Sequence, residues 1–368
     1  MNLQPAPTQG AGDVKEAAAM KAAVLTGPDT IAHRDVPLPA LPEGYALVRV
    51  ELTGLCGTDF SILRGTHPRA RTPLIMGHEI TGIVEVPAST GPRAGSRVTV
   101  EPLISCGTCL SCTQGNTHVC KNLQLYGIDV PGSLAEFVAL PANALIPVKK
   151  TVPVSQVALA EPLAVAVHAV KRSGLSGGES VLIYGAGPIG ILTALVARQE
   201  GAAKVLIAEP SADRLRLAAQ LGFDTVPDGA SPAQTIRLMT GGNGADIVFD
   251  SAAHPSVAAE IAGTVRVMGT IVLVGVYKSP AKVDLQALTF AENTVLGVRV
   301  YTRADIERAV ELIESNALGL GRLPVDIFPL EQAELAFENA MAAGAAVKTM
   351  VGPPSSEPFP RPAQEDSL

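Results

Sequence analysis

Residues 181–190 have the sequence VLIYGAGPIG, and they indicate the architecture of the chain more clearly than any other segment. Four apolar residues lead into a turn that matches the pattern G-x-G-x-x-G, and the following ILTALVARQEG has the character of a helix. In such a unit the glycines permit a tight turn, a close approach to a pyrophosphate and close packing of helix on strand. The helix N-terminus then offers free N–H groups to a diphosphate. The stretch therefore predicts a dinucleotide site formed by Gly185, Gly187, Pro188, Ile189 and Gly190.

The next strand of the pattern ends at an acidic residue. VLIA is followed by Glu209, 19 residues after Gly190. A carboxylate in this place is expected to accept both ribose hydroxyls of NAD and to repel the 2′-phosphate of NADP. Ser211 and Arg214 keep NADP open as an alternative, because a short polar residue and an arginine can hold that phosphate. The sequence thus favours NAD, with Arg214 as a further cofactor contact.

The same kind of unit recurs between residues 164 and 300. Apolar strands such as ADIVFDSA and TIVLVGV alternate there with helices such as SADRLRLAAQLG. Continuous apolar strands that alternate with helices predict a doubly wound parallel sheet, covered on both faces. Residues 20–150 differ, since short strands such as YALVRVEL and ITGIVEV are separated by frequent Gly and Pro. They predict an antiparallel, barrel-like β unit, so the chain is an α/β protein.

Length and composition exclude several classes of protein. The chain has 368 residues, which suggests two domains, and its 47% hydrophobic residues suffice for a large core. The net charge of −7 leaves no basic excess to neutralise phosphates, so nucleic-acid binding is not expected. The N-terminal residues lack the pattern of a signal peptide, and the apolar runs are too short or too polar for a membrane span. We expect a cytoplasmic protein with no membrane partner.

Four of the five cysteines form one cluster. Cys106, Cys109, Cys112 and Cys120 follow the spacing C-x2-C-x2-C-x7-C, in a segment rich in small and polar residues. Four thiolates give Zn²⁺ a closed tetrahedral shell, so this loop predicts a structural zinc site. Unrelated cysteines, disulfides and an iron–sulfur cluster are the alternatives that ligand type alone leaves open. The fifth cysteine, Cys56, lies far from this loop, as do His78, Glu79 and Glu161.

These patches occur in an order that resembles one family. The segments GLCGTD, GHE, the four-cysteine loop, AEPLAVAVHAV and GAGPIG are similar to those of the zinc-containing medium-chain dehydrogenase/reductases. The glutamate at position 161 resembles the branch of polyol, threonine and butanediol dehydrogenases. The resemblance implies a GroES-like β-barrel catalytic domain at residues 20–163 and 301–351, and a Rossmann domain at residues 164–300. Residues 1–19 and 352–368, low in complexity, are predicted to be disordered extensions.

The resemblance also implies roles for single residues. Cys56, His78, Glu79 and Glu161 correspond to ligands or neighbours of a catalytic zinc, which makes two zinc ions per subunit. Thr58 corresponds to the hydroxyl that takes the substrate proton, and Asp59 to the acid that orients the ligating histidine. Ser61 stands where many relatives have the histidine at the outer end of the proton relay. Further expected cofactor contacts are Val274 and Lys348, the latter near the cofactor phosphates or Asp59, and candidate substrate contacts are Arg299 and Tyr301.

The function expected from these residues is hydride transfer between a secondary alcohol and NAD, with a polyol, sugar alcohol, cyclitol or vicinal diol as substrate. A threonine-type amino-alcohol dehydrogenase is the alternative within the family, and a non-enzymatic NAD-binding zinc protein is the more remote one. Relatives pair through the edge strand of the Rossmann sheet, here expected at residues 293–301. The resemblance therefore implies a homodimer or homotetramer, and an equally simple interpretation of Arg299 and Tyr301 is that they lie at this interface.

Overall fold

The first part of the chain is built from strands. The computed structural model describes residues 19–342, 344 and 346–353, so the predicted terminal extensions lie outside it except at their inner ends. The strands before residue 150 are β1 (Ala19–Gly27), β2 (Thr30–Pro37), β3 (Tyr45–Gly54), β4 (Leu74–Ile75), β5 (Glu79–Val86), β6 (Arg97–Val100), β7 (Leu103–Ile104), β8 (Gln124–Leu125), β9 (Phe137–Pro141) and β10 (Leu145–Pro147). Two short helices interrupt them, α1 (Gly57–Leu63) and α2 (Leu110–Thr113), and a third, α3 (Val154–Val157), follows β10.

Helices and strands alternate in the second part. The elements are α4 (Ala160–Ser173), β11 (Ser180–Tyr184), α5 (Pro188–Gln199), β12 (Lys204–Ala208), α6 (Ala212–Gln220), β13 (Asp224–Thr225), α7 (Pro232–Met239), β14 (Ala245–Asp250), α8 (Pro255–Glu260), β15 (Val265–Leu273), α9 (Leu285–Phe290), β16 (Thr294–Gly297) and α10 (Arg303–Glu314). The chain then closes with β17 (Val325–Pro329), α11 (Ala333–Met341) and β18 (Lys348–Gly352). Short 3-10 turns lie at Thr117–Val119, Ala142–Ala144, Ile261–Gly263, Leu320–Arg322 and Leu330–Gln332.

The parallel sheet has the order β13-β12-β11-β14-β15-β16, with β11 at its centre. All five residues of β11 are buried, and its side chains alternate between two cores. Val181 and Ile183 pack with α4, α5 and α10, whereas Leu182 and Tyr184 pack with the cluster on the other face. Burial on both faces explains why the strand is apolar throughout instead of alternating. The predicted doubly wound sheet is confirmed.

The last strands complete the first sheet. Its order is β10-β6-β5-β3-β18-β17, with β9 also paired to β3. Strand β18 runs antiparallel to β3, so that Met350 faces Gly54, and it runs parallel to β17. A smaller sheet of order β2-β1-β4 lies beside it. The chain therefore leaves the β unit, forms the parallel sheet, and returns to bring Lys348 next to the start of β5.

Helix α4 connects the two units. Its buried residues join one hydrophobic cluster that also contains Leu52 of β3, Ile183 of β11 and Tyr301. The helix ends at Gly174, whose φ of +80° is the left-handed conformation that favours glycine. Because α4 packs against both sheets, residues in its first turn lie where the two units meet. None of the helices in the described part of the chain combines the length and the apolar character needed to span a membrane.

Candidate active site

The glycine turn lies at the carboxyl edge of the parallel sheet. Gly185 follows β11 with φ +96°, and a Cβ on Gly190 would lie 1.9 Å from the carbonyl oxygen of Gly185. Both positions therefore require glycine, the first for its conformation and the second for space. Gly187 is the N-cap of α5, and Pro188 opens the helix. The backbone N–H of Val274 donates to the Asp250 carbonyl at 2.9 Å, at the same edge of the sheet.

Glu209 is bonded to this turn. Its Oε2 accepts from the backbone N–H of Ala186 at 2.8 Å, and its Oε1 accepts from that of Ser211 at 2.9 Å. The half-buried carboxylate thus joins the glycine turn to the beginning of α6. The guanidinium of Arg214 approaches the same turn, since its Nη1 would lie 4.0 Å from a Cβ on Gly187. The structure brings together the predicted glycines, the acid and the nearby arginine.

A second group of polar residues lies where α1 and β5 begin. Cys56 is the N-cap of α1, Glu79 is the first residue of β5, and His78 precedes it. Ligand atoms of these three residues lie within 4.8 Å of one another. Gly54 is opposite Glu79 in the sheet, and a Cβ there would lie 2.0 Å from Glu79 Oε2. The lack of a side chain at Gly54 therefore makes room for the Glu79 carboxylate.

The electrostatics of this group fit a bound cation. Glu79 Oε2 is buried and has no hydrogen-bond partner among the described residues. Burial acts to lower the pKa of His78, but Asp59 and Cys56 outweigh it and raise this pKa well above its usual value. Unsatisfied buried polar atoms are costly. A thiol, an imidazole and a carboxylate gathered in this way match the mixed ligand set of a catalytic zinc.

Asp59 supports the group from behind. It is fully buried; its Oδ2 accepts from the backbone N–H of Cys56 at 2.9 Å, and its Oδ1 lies 3.5 Å from His78 Nδ1. The carboxylate therefore faces the ring nitrogen on one side and fixes the start of α1 on the other. Thr58 and Ser61 lie on the same helix, three residues apart and half-buried. Residues at this spacing share a helix face.

Lys348, expected near the cofactor phosphates or Asp59, is paired with Glu79 in the structure. Its ammonium is buried and lies 2.5 Å from Glu79 Oε1. Burial acts to lower the pKa of Lys348, but the Glu79 and Cys56 charges raise it. The pairing of β18 with β3 places Lys348 beside Gly54 and the start of β5. One oxygen of Glu79 is thus neutralised by lysine, and the other is left to the cysteine–histidine group.

Glu161 lies close by but is not a member of that group. It is buried in the first turn of α4, and its Oε1 accepts from the hydroxyl of Tyr301 at 2.9 Å. Burial and then the charge of Glu79 raise the pKa of Glu161 to about 7. Tyr301 is itself fully buried, whereas Arg299 is exposed. The sequence did not indicate the contact between Tyr301 and Glu161, because nothing local marks two residues 140 positions apart as partners.

The four cysteines of the predicted structural site come together. Their sulfur atoms lie within 4.8 Å of one another, with Cys112 and Cys120 buried. Backbone N–H groups point at the sulfurs: that of Cys106 donates to Cys120 at 3.3 Å and that of Cys109 to Cys106 at 3.4 Å. Such bonds from Thr108 and Cys109 lower the pKa of the Cys106 thiol to about 6. A thiolate cage of this kind fits a zinc ion with no open position.

A parallel sheet with a dinucleotide-binding turn lies beside a cysteine–histidine–glutamate group. This combination is typical of metal-dependent dehydrogenases that use a nicotinamide cofactor. Sequence comparison refines it. Residues 42–150 match the alcohol dehydrogenase GroES-like domain, and residues 188–315 match the zinc-binding dehydrogenase domain. The chain belongs to the zinc-containing medium-chain dehydrogenase/reductases, in the branch that includes polyol and threonine dehydrogenases. The predicted fold class and an NAD(P)-dependent oxidoreductase of the alcohol dehydrogenase type are thereby confirmed.

Individual relatives act on different alcohols. A 2-dehydro-3-deoxy-L-galactonate 5-dehydrogenase from Pseudoalteromonas atlantica is 37% identical, over 84% of this chain and 94% of its own. An L-threonine 3-dehydrogenase from Bacillus subtilis is 33% identical, over 87% of this chain and 94% of its own. Among solved structures, a Sinorhizobium meliloti protein described as a zinc-binding dehydrogenase and bound to NADP superposes with a TM-score of 0.85 at 32% identity. That superposition covers 91% of this chain and all of the other.

Proposed function

We propose that this enzyme oxidises a secondary alcohol of the polyol, sugar-alcohol, cyclitol or vicinal-diol class to a ketone, with NAD as the hydride acceptor. The observation that carries the proposal is the group of Cys56, His78 and Glu79, whose ligand atoms lie within 4.8 Å of one another. These residues would hold a zinc ion, and the four cysteines would hold a second. Zinc bound by the first group would supply Lewis acidity, which lowers the pKa of an alcohol.

The chain's own residues position the substrate and move its proton. In this proposal Thr58 Oγ1 accepts the proton of the substrate hydroxyl, since it follows Cys56 by two residues on the same short helix. Ser61, on the same helix face, passes the proton outward. Asp59 keeps His78 oriented, because its carboxylate faces the ring nitrogen. Lys348 pairs with one oxygen of Glu79, while the other remains free to bind a cation.

The preference for NAD is part of the proposal. Glu209 lies between the glycine turn and α6, where the ribose of a dinucleotide is expected. Its carboxylate has lone pairs left for two ribose hydroxyls and would repel a 2′-phosphate. Use of NADP is the alternative, because a related structure is bound to NADP. Arg214, close to the glycine turn, is the residue that would bind the 2′-phosphate.

A threonine-type activity is the second candidate, because L-threonine 3-dehydrogenases are among the relatives at 33% identity or more. Both candidates use the same metal group and differ only in the substrate pocket. Initial rates with NAD, measured over a panel of polyols, diols, cyclitols and amino alcohols, separate them. Turnover of polyols or diols at least tenfold above that of threonine supports the first candidate, and the reverse order supports the second.

The metal group is tested by Cys56→Ala. We expect the variant to lose turnover and one of two zinc ions while its circular dichroism spectrum is unchanged, because the four-cysteine site is untouched. That second site is the internal control for correct folding. A variant with near wild-type activity and two zinc ions per chain contradicts the assignment.

Self-association through the parallel sheet is also proposed. Strand β16 lies at an edge of the sheet, and large apolar side chains nearby are exposed: Val276 by 85%, Phe290 by 79% and Val295 by 45%. An edge strand with exposed apolar neighbours favours pairing with another chain. We propose a homodimer at this edge, as the unit from which a tetramer would be built. The cytoplasmic location stays a prediction from the sequence.

A further inference from the structure

Glu161 accepts a hydrogen bond from one hydroxyl group, that of Tyr301. Its Oε1 accepts from Tyr301, and its side chain is not among the three whose ligand atoms lie within 4.8 Å. Yet Glu161 is buried in the first turn of α4, a helix that contacts β5, and Glu79, which begins β5, is bonded to Lys348. Among the described residues, the Tyr301 hydroxyl is the donor that satisfies Glu161. Two carboxylates near one cation site thus have different partners, a lysine for one and a tyrosine for the other.

Tyr301 itself is held firmly. It is fully buried, and the residue before it, Val300, has φ +42°, an unfavourable left-handed conformation for a β-branched side chain. The residue after it, Thr302, is the N-cap of α10 and forms a capping box with Asp305. Backbone strain of this kind persists only where the surroundings determine the conformation strongly. The turn before α10 is therefore fixed in the one arrangement that directs Tyr301 inward.

The same turn is joined to the helix that carries Glu161. Asp305 accepts from Thr302 Oγ1 at 2.6 Å, is bonded to His168 Nδ1 at 2.8 Å and accepts from Lys171 Nζ at 3.1 Å. His168 lies on α4 seven residues after Glu161, on the same helix face. Three side-chain contacts therefore join α4 to the start of α10: Glu161 with Tyr301, and both His168 and Lys171 with Asp305. The two bonds to Asp305 hold α10 against α4 beside the contact between Glu161 and Tyr301.

We propose that Tyr301 is a positioning residue that holds Glu161 outside the metal ligand set and so determines how readily Glu161 enters it. The inference rests on the metal site proposed at Cys56, His78 and Glu79. Without the Tyr301 hydroxyl, the buried Glu161 carboxylate needs another hydrogen-bond donor or a positive charge. A cation held by Cys56, His78 and Glu79 is the nearby charge that can serve. Loss of one hydrogen bond to a charged group shifts the ratio of the two Glu161 positions by roughly 10- to 100-fold.

The experiment uses Co²⁺ in place of zinc in the full-length enzyme, because the visible absorption of Co²⁺ reports its ligands. The variants are Tyr301→Phe, Glu161→Gln, the double variant and, as a matched control, Tyr184→Phe. Tyr184 is also a buried tyrosine, but its hydroxyl has no hydrogen-bond partner among the described residues. Each spectrum is taken as the difference from the same protein carrying Cys56→Ala, which removes the signal of the four-cysteine site.

We expect the spectrum of Tyr301→Phe to differ from that of the wild type, and its Co²⁺ affinity to rise by about tenfold. Glu161→Gln, the double variant and Tyr184→Phe should all resemble the wild type, since none of them lets a carboxylate enter. The proposal is overturned if Tyr301→Phe is unchanged, if its shift survives in the double variant, or if Glu161→Gln alone changes the spectrum. A wild-type spectrum that does not depend on Cys56 refutes the metal site itself, which is a separate failure.

Discussion

Replacing Glu209 tests whether one carboxylate selects the cofactor. In Glu209→Ala the acceptor for two backbone N–H groups and for two ribose hydroxyls disappears. Hydrogen bonds to a charged acceptor contribute about 1.5–3 kcal/mol each, so NAD loses at least one such contribution. For NADP the substitution is favourable instead. A carboxylate about 5 Å from one phosphate charge costs roughly 3 kcal/mol at an effective dielectric constant of 20, and the variant removes this repulsion.

Water screens part of this repulsion, because Glu209 is only half-buried. We therefore take about 3 kcal/mol for the whole change, the low end of the two effects combined. It corresponds to a fall of at least about 100-fold in the ratio of kcat/KM for NAD to kcat/KM for NADP. The assay is the initial rate with one alcohol substrate and either cofactor. Arg214 is left in place, since it is the residue expected to accept the 2′-phosphate.

Glu209→Gln is the matched control. It keeps the size of the side chain and one acceptor oxygen while it removes the charge, so it should recover most of the gain for NADP with a smaller loss for NAD. Because both variants weaken bonds to the glycine turn, the free energy of unfolding is measured in parallel. A ratio that changes less than threefold in Glu209→Ala, or a wild-type enzyme that uses NADP as well as NAD, refutes the reasoning.

Three further predictions concern stability and assembly. Cys112→Ser should remove one zinc ion per chain and lower the free energy of unfolding by ~3 kcal/mol or more, seen in denaturant titration; two retained zinc ions would exclude a four-cysteine site. In the metal-free protein the raised pKa of Glu161 gives a stabilising effect that is complete below pH 4.5 and lost as the pH rises through about 7. The decline in the free energy of unfolding is on the order of 3 kcal/mol, and Glu161→Gln should lack it when thermal unfolding is measured across this pH range. An identical decline in both proteins argues against Glu161 as its source. Val295→Lys should yield monomers in light scattering, whereas Leu238→Lys, an exposed site on α7, should not; equal masses for both variants count against the β16 edge.

The parts of the site that the sequence predicted are local. The glycine turn and its helix are neighbours in the chain, and Glu209 follows one unit later, so periodicity suffices to place them at one edge of a sheet. The four cysteines span only residues 106–120, where a short loop brings their sulfurs together. Cys56 and His78 lie further apart, and composition alone did not connect them. Their grouping was available only through resemblance to a family.

The carboxylates and their partners could not be predicted in this way. Lys348 was expected near phosphates or Asp59, and its bond to Glu79, 269 positions away, had no signal in the sequence. Tyr301 was expected at the substrate or at an interface, and the structure places it against Glu161. Both contacts follow from the return of the chain to its first sheet and from the packing of α10 on α4. The register of such pairings depends on the whole fold and has no signature within a short segment.

The amino-acid sequence alone determined the two kinds of architecture, the dinucleotide turn and the four-cysteine loop, because each results from interactions among residues close together in the chain. The tertiary structure decided which charges meet. It assigned a buried lysine to Glu79 and a buried tyrosine to Glu161, and it left the second oxygen of Glu79 without a hydrogen-bond partner among the described residues. The physical reason is that a buried charge must find a partner, and which partner lies within reach is set by strand register and helix packing.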